Sequence, residues 1–297
     1  MANTFWKKLE RNYIKQNIPV EVFGFGMSGY DAAMAYQTLQ YHVMQYKPDL
    51  VIWAFLPGND IKDSLRELTS HPWKPYYTLN EKDELILDQS FHSYVDSKKQ
   101  FFDYYFRALR NSSYFLQFLD KNVRNPIVFQ LKQQLELIVN YFANTSKSEK
   151  TRNDYAKIKP VKAGLSTNIC LETIPGTPMD KAWNITEKLI LAMNELCKAK
   201  EVNFMVLGVS ISDIHYSKEN NNSYDLFYPE KRTAAFLKKH AIDYLPTAYA
   251  LVEANKKGVY FHGFKRHGWG HWNENGHDEV GKMLFSFINK RGLLDLK

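Results

Sequence analysis

The chain has few of the residues that mark disulfide scaffolds or membrane proteins. Its 297 residues include only two cysteines, Cys170 and Cys197, which are too few for a disulfide framework. No apolar run approaches the roughly 20 residues that a membrane-spanning helix needs, and the polar N-terminus shows no secretory signal. The sequence therefore predicts no membrane-spanning segment in this chain and assigns no cellular compartment.

Basic residues exceed acidic residues only slightly, with 39 Lys and Arg against 32 Asp and Glu. They are spread along the chain rather than gathered into one tract, so we expect a solvated basic surface and no nucleic-acid partner. The hydrophobic fraction of 44% is enough for a substantial core. We predict a single domain over residues 1–297, with a variable, largely helical insertion at residues 64–180.

Two short apolar runs near the N-terminus predict buried strands. Val20–Phe25 and Leu50–Leu56 are rich in Val, Ile and Phe and are bounded by turn residues. A helical pattern over Ala32–Met44 lies between them, so the stretch reads as a βαβ unit with parallel strands. Ligands bind beyond the carboxyl ends of such strands. The loops at residues 26–29 and 57–60 are therefore expected to border one site.

The rest of the chain continues the alternation of helices and strands. Residues 64–88 contain Pro72 and Pro75 and are predicted to form a long, aromatic-rich loop. The whole pattern predicts an α/β protein whose parallel sheet is covered by helices on both faces. The other predicted helices are Phe5–Gln16, Met179–Glu201, Glu230–His240 and Asn275–Asn289, and the other predicted strands are Asn203–Ser210 and Ile242–Leu245.

A histidine-containing motif, Gly-His-Trp-Asn-Glu-Asn-Gly-His, occupies residues 270–277 at a loop-to-helix junction. We expect His271 to face the same edge of the sheet as the two earlier loops. Histidine is suited to general base catalysis because its pKa lies near neutrality. The side chain of Asn59 and the backbone N–H of Gly29 are candidates to donate hydrogen bonds to a developing oxyanion.

Together, the Gly-Met-Ser-Gly-Tyr loop, the Pro-Gly-Asn-Asp loop and the late Gly-His-Trp-Asn motif resemble those of the SGNH, or GDSL-type, hydrolases. The resemblance implies a three-layer α/β/α sandwich with a flavodoxin-like parallel sheet, and ester hydrolysis through an acyl-enzyme. It assigns the family's oxyanion glycine and asparagine to Gly29 and Asn59, and its catalytic histidine to His271. Three neighbouring polar residues take supporting positions: Ser28, Asp60 and Asn273.

The resemblance also implies the ligands. It points to a carboxylic or O-acyl ester of a small molecule, glycan or lipid as the substrate, with no cofactor and no metal.

Two parts of the family pattern are missing. No Gly-Asp-Ser nucleophile block is present, and Gly268 and Trp269 occupy the positions where the acid of the triad usually stands. We therefore expect this chain to be inactive as given. An upstream segment with the nucleophile would bring the family's first strand, which lies between the strands matching Val20–Phe25 and Leu50–Leu56. Without it, we expect either a gap in the sheet or direct pairing of these two strands.

Other functions and roles are compatible with the same residues. The chain would be a non-catalytic binding or scaffold protein if the nucleophile block has been lost. Residues 24–29 match G-x-G-x-x-G, which would bind a dinucleotide between a strand and a helix. Ser28 is more simply a helix cap than a nucleophile. His267, His271 and His277, with Glu274 and Asp278, are candidate metal ligands, but no established metal-ligand motif accompanies them.

Overall fold

The structure, a computed structural model, describes residues 3–27, 29–69, 71–99, 167–210, 225–263 and 270–294. The chain divides into two compact units, residues 1–89 with 163–297 and residues 90–162. The described part of the second unit contains one helix, Phe91–Lys99. The organisation as a single domain with an insertion at residues 64–180 stays a prediction.

Three parallel strands form the main sheet of the first unit. In chain order the strands are β1 (Leu50–Phe55), β2 (Tyr76–Leu79), β3 (Leu85–Asp88), β4 (Asn203–Gly208) and β5 (Asp243–Pro246). The sheet order is β1-β4-β5, with Phe55 opposite Gly208 and Leu207 opposite Leu245. The predicted strands at residues 50–56, 203–210 and 242–245 are therefore confirmed.

Eight α-helices lie in the described residues. They are α1 (Phe5–Ile14), α2 (Ala32–Tyr41), α3 (Pro57–Asp63), α4 (Phe91–Lys99), α5 (Pro178–Lys198), α6 (Tyr228–Lys239), α7 (Ala248–Lys256) and α8 (Glu274–Arg291). The helices predicted from hydrophobic periodicity correspond to α1, α2, α5, α6 and α8. Helix α3 was not predicted, because seven residues are too few to show a helical pattern.

Helices cover both faces of the sheet, because alternate residues of β4 enter different cores. Phe204 and Val206 pack with α2, α5 and α6, whereas Met205 and Leu207 pack with α1, α7 and α8. Side chains of a strand point alternately to opposite faces, so a strand buried on both faces is apolar throughout. The prediction of an α/β fold with three layers, helices on both sides of a parallel sheet, is confirmed.

The strand predicted at Val20–Phe25 is wrong. These residues are irregular, and the N–H of Val22 donates to the Glu10 carboxylate at 2.7 Å rather than to a strand. Three of the apolar side chains are partly buried, because Val20 and Val22 join the core of α1 and α8 and Phe25 contacts Tyr46, whereas Phe23 is exposed. Apolar burial without a strand partner thus explains the strand-like pattern.

Of the two outcomes expected for the sheet, a gap or direct pairing of residues 20–25 with β1, the direct pairing does not form, because β1 pairs with β4. In the described residues, β1 has a strand neighbour on this one side only.

The predicted loop at residues 64–88 contains secondary structure. Strands β2 and β3 form an antiparallel hairpin with Tyr76 opposite Asp88 and Leu79 opposite Leu85. The tight turn between them has Asp83 at φ 61° and is closed by Asn80, whose side chain accepts from the N–H groups of Lys82 and Glu84. The two prolines of the segment both precede β2, so neither interrupts the ladder.

Candidate active site

The three parallel strands end at one edge of the sheet, and the residues that follow them form the candidate site. Asn59 follows β1, Ser210 follows β4 and Thr247 follows β5. The N–H of Val209 donates to the carbonyl of Phe55 at 2.8 Å, so the first two chain segments stay adjacent as they leave the sheet. Functional residues of α/β proteins gather at this edge.

Asn59 lies in the first turn of α3, immediately beyond β1. Pro57 begins the helix, where its missing N–H costs no hydrogen bond. The backbone N–H of Asn59 donates to the carbonyl of Leu56 at 3.0 Å. Its side chain is exposed. The asparagine amide is therefore held by a rigid backbone and is free to meet a ligand.

Asp60, predicted as a supporting site residue, is buried beside Asn59. Its carboxylate accepts from the N–H of Leu56 at 2.6 Å and so closes the start of α3. Burial raises the pKa of Asp60 well above its ordinary value, although the bond from Leu56 opposes the shift. The buried carboxyl group therefore holds the start of the helix rather than contacting a substrate.

A buried lysine links the helix of Asn59 to the loop of Gly29. Lys74 is 2% exposed, and its Nζ lies 3.0 Å from Oδ2 of Asp31 and 3.3 Å from Oδ2 of Asp63. Asp31 caps the N-terminus of α2 by accepting from the N–H of Met34, whereas Asp63 ends α3. One ammonium group therefore fixes the two helices relative to each other.

Burial and the bridge together shift the pKa values of Asp31 and Lys74. Burial raises the pKa of Asp31, while the bond from Met34 and the charge of Lys74 work against the increase. Burial by itself would lower the pKa of Lys74, but Asp31 and Asp63 raise it above its ordinary value. The lysine is therefore charged at neutral pH.

Gly29 is exposed and lies two residues before the cap of α2. Its φ of +83° is a left-handed conformation that favours glycine, and open space surrounds the position of a Cβ atom. A side chain would thus be opposed by backbone strain rather than by crowding. Ser28 lies outside the described residues. Its expected role as the cap of α2 is wrong, since Asp31 occupies that position.

The loop of His271 is fastened to the carboxyl end of β4. The hydroxyl of Ser210 accepts from Nε1 of Trp272 at 3.2 Å and lies 3.4 Å from Nε2 of His262. The same Nε2 atom lies 3.3 Å from the carbonyl oxygen of Ser210. All three side chains are buried. They form a clamp, the Ser210 clamp, between the sheet and the segments on both sides of residues 264–269.

Backbone hydrogen bonds fix His271 within this clamp. Its carbonyl accepts from the N–H of Gly263 at 2.9 Å, and the N–H of Asn273 donates to the carbonyl of Phe261 at 2.8 Å. Gly276 allows the close approach, because an added Cβ atom would lie 2.4 Å from the Phe261 carbonyl oxygen. The backbone of His271 is thus held, while its side chain is exposed.

Asn273, the third supporting position, has a structural role in the described residues. It caps the N-terminus of α8 by accepting from the N–H of Gly276 at 3.0 Å. Its side-chain amide donates to the carbonyl of Tyr260 at 3.0 Å. One side chain therefore joins the start of α8 to the segment that precedes the His271 loop.

His271 stands beside two buried or half-buried imidazoles. Burial lowers the pKa of His262 to about 4, a bond to Ser210 opposes this, and nearby His271 lowers it further. Burial also lowers the pKa of His277, together with Lys8 and His271, and Nδ1 of His277 accepts from the N–H of Phe5. Of these three histidines, His271 is the one whose side chain is exposed, so a ligand can reach its imidazole.

Several sequence-predicted residues thus lie in segments joined at one edge of the sheet. Asn59 and His271 are carried by segments attached to the ends of β1 and β4, and Gly29 is linked to α3 through Lys74. Sequence reasoning missed Lys74, Ser210 and His262. The position of Ser210 at the end of the apolar run 203–210 was the one available signal, because buried partners of a loop leave no periodic pattern.

The alternative sites have little support in the described residues. No strand precedes the G-x-G-x-x-G match at residues 24–29, so the context of a dinucleotide site is not formed. Within the described ranges, no three His, Cys, Asp or Glu residues are grouped as ligands for a metal ion. His267, the remaining member of the metal hypothesis, lies outside these ranges, as do Gly268 and Trp269.

None of the described helices has both the length and the apolar content needed to cross a membrane.

Comparisons with known proteins assign no family. No family model and no curated protein matches the chain. A solved structure that resembles it is the acetyl xylan esterase AlAXEase, with a TM-score of 0.47 and 9% identity over 96% of this chain and 91% of that one. Similarity at this level carries no argument about activity, so the α/β assignment rests on the strands and helices themselves.

Proposed function

We propose that this chain provides the oxyanion-binding and base-bearing part of an ester hydrolase of the SGNH, or GDSL, type. Its substrate class is a carboxylic or O-acyl ester carried by a small molecule, glycan or lipid. The reaction needs no cofactor. The proposal rests on the motifs of the sequence together with the location of the residues that carry them.

In the proposed mechanism, His271 takes the proton of a nucleophilic hydroxyl as that oxygen attacks the ester carbonyl. The amide of Asn59 and the N–H of Gly29 donate to the oxyanion that forms, and His271 then gives its proton to the leaving alcohol. Water repeats the sequence to release the carboxylic acid. No residue of this chain is assigned as the nucleophile, because the sequence has no Gly-Asp-Ser match.

One observation carries the proposal. The Ser210 clamp attaches the His271 loop to the end of β4, and β4 pairs in register with β1, whose end leads directly to Asn59. Asn59 and His271 are both exposed at these segments. An exposed base and an exposed amide donor at the same edge of a parallel sheet are what ester hydrolysis through an oxyanion requires.

The binding half of the mechanism is testable without turnover. Acetate, a carboxylate product, should shift the NMR signals of the Asn59 amide, the Gly29 N–H and the His271 ring in one saturable titration. Asn59→Ala should weaken this binding several-fold, whereas Gln40→Ala, on the exposed surface of α2, should not. If acetate leaves these three signals unchanged, the oxyanion assignment is wrong.

For catalysis, the proposal predicts that this chain alone has no esterase activity. The chain should hydrolyse p-nitrophenyl acetate no faster than its His271→Ala variant, because it has no assigned nucleophile. Activity that Ser28→Ala abolishes would show that the nucleophile has been assigned wrongly.

A non-catalytic binding protein on the same fold is the alternative. The two hypotheses make different predictions about the coding DNA upstream of this chain. Upstream coding DNA with an in-frame Gly-Asp-Ser favours the hydrolase, and its absence favours the binding protein.

A further inference from the structure

Three buried polar atoms without a hydrogen-bond partner lie on facing elements, α6 and β5. They are Oε2 of Glu230, Oγ1 of Thr233 and the hydroxyl of Tyr244. Glu230 is 3% exposed and Thr233 is 2% exposed. The only other such atoms in the described residues are Nε1 of Trp183 and Oδ2 of Asp31, and the latter is ion-paired with Lys74.

The three residues lie on two elements that pack against each other. Glu230 and Thr233 are three residues apart on α6 and therefore share a face of that helix. Tyr244 lies on β5, against which α6 packs, and the charge of Glu230 acts on its hydroxyl. Gly208 of β4 makes room for Tyr244, since an added Cβ atom would lie 2.5 Å from that hydroxyl.

Buried polar groups in native proteins are nearly always paired, and an isolated unpaired one is costly. Three such groups would together cost a large part of the stability of a domain. A carboxyl group and two hydroxyls offer both donors and acceptors, which is the set that ordered internal water molecules bridge.

We propose that Glu230, Thr233 and Tyr244 form a buried binding site for one water molecule between α6 and β5. The water bridges the free carboxyl oxygen of Glu230 to the two hydroxyls. It thereby joins the first turn of α6 to the strand that leads into Thr247 at the edge of the sheet.

The protonation of Glu230 is compatible with a bound water molecule rather than a cation. Burial raises its pKa to about 7, while its own backbone N–H lowers it and Asp225 raises it. Near neutral pH the carboxyl is therefore partly protonated, and its free oxygen is a donor in that state. A neutral acid beside two hydroxyls is a poor site for a divalent cation, whose oxygen ligands usually include carboxylates.

Variants that remove one partner test the water directly. If the site is filled, Thr233→Val and Tyr244→Phe each remove a hydrogen bond to the water and should lower the urea midpoint of the full chain. If the site is dry, the same changes remove an unpaired buried hydroxyl and should leave the midpoint unchanged or raise it. Thr78→Val, at an exposed position of β2, is the matched control and should not lower the midpoint.

A high-resolution crystal structure of the full chain supplies the second readout. We expect one water within hydrogen-bond distance of all three atoms, and its loss or displacement in Thr233→Val. A dry site, a metal ion in its place, or a Thr233→Val midpoint at or above that of the unchanged chain would overturn the proposal.

Discussion

The Nε2 atom of His262 lies 3.4 Å from the hydroxyl of Ser210 and 3.3 Å from the carbonyl oxygen of the same residue. Both side chains are buried. Such a serine and histidine would suggest a nucleophile and its base, but the serine hydroxyl already accepts from Trp272 and is closed to solvent. The pair instead ties the loop of the exposed His271 to the sheet.

Removing the Ser210 hydroxyl should release this loop. Ser210→Ala leaves the indole N–H of Trp272 buried without its acceptor, which costs roughly 1–3 kcal/mol. Urea denaturation should show that loss, and hydrogen exchange should quicken at the N–H groups of Gly263 and Asn273. Ser286→Ala, at an exposed position on α8, is the matched control. Equal stability and exchange in the two variants would contradict the clamp.

His262 should make the protein sensitive to acid. Its pKa is about 4 in the folded chain against an ordinary value of 6.5. Between pH 6.5 and 4 the His262 side chain therefore binds a proton in the unfolded chain but not in the folded chain. Its contribution to the free energy of unfolding is complete above pH 6.5 and falls by about 3 kcal/mol as the pH drops to 4.

His262→Gln should flatten the corresponding part of the pH–stability curve, measured by urea denaturation between pH 4 and 7. His42→Gln, at an exposed position, should leave the curve unchanged. Glu230 titrates in the opposite sense over part of this range, since its raised pKa makes stability fall as the pH rises. The comparison is therefore between variants rather than within one curve.

The sequence predicted the layers of the fold because burial leaves periodic patterns. Strand β4 is apolar on both faces, and α8 repeats its buried residues Val280, Leu284 and Ile288 at helical spacing. The same signal failed at Val20–Phe25. Apolar side chains there enter a core without a partner strand, and a hydrophobic pattern records burial rather than hydrogen bonding.

Prediction of the site stopped at the residues that carry recognisable motifs. Asn59 and His271 lie in such motifs, whereas the residues that hold them do not. Lys74 is a single lysine in a proline-containing segment, and only the folded chain brings it to Asp31 and Asp63. Long-range ion pairs of this kind have no fixed spacing in sequence, so no local pattern reveals them.

Loss of the Lys74 charge should be strongly destabilising at neutral pH. Lys74→Met leaves the buried Asp31 and the partly buried Asp63 without their cation, which typically costs about 3–5 kcal/mol. The cost should shrink at pH 4.5, because burial raises the pKa of Asp31 and its carboxyl group can then take up a proton. Urea midpoints at both pH values test this, with Lys82→Met as the exposed control. An effect that does not change with pH would contradict a charge-based role.

The sheet itself should limit stability. Among the described residues, β1 has β4 as its only strand neighbour, and Ala54 is exposed on it. Unpaired backbone groups at such an edge favour aggregation. Ordinary mesophilic domains unfold at about 45–65 °C. We expect this chain to unfold below about 55 °C or to aggregate on heating. A sharp, reversible calorimetric transition well above that temperature would mean that the sheet is complete.

The most direct test of the account is the distance from the His271 ring to its proposed partners in a crystal structure of the chain. The account predicts that the imidazole, the Asn59 amide nitrogen and the Gly29 nitrogen lie within about 10 Å of one another beyond the carboxyl ends of β1 and β4, since a base must stand close to its oxyanion donors. An imidazole at the opposite edge of the sheet would contradict the proposal that the chain is part of an ester hydrolase.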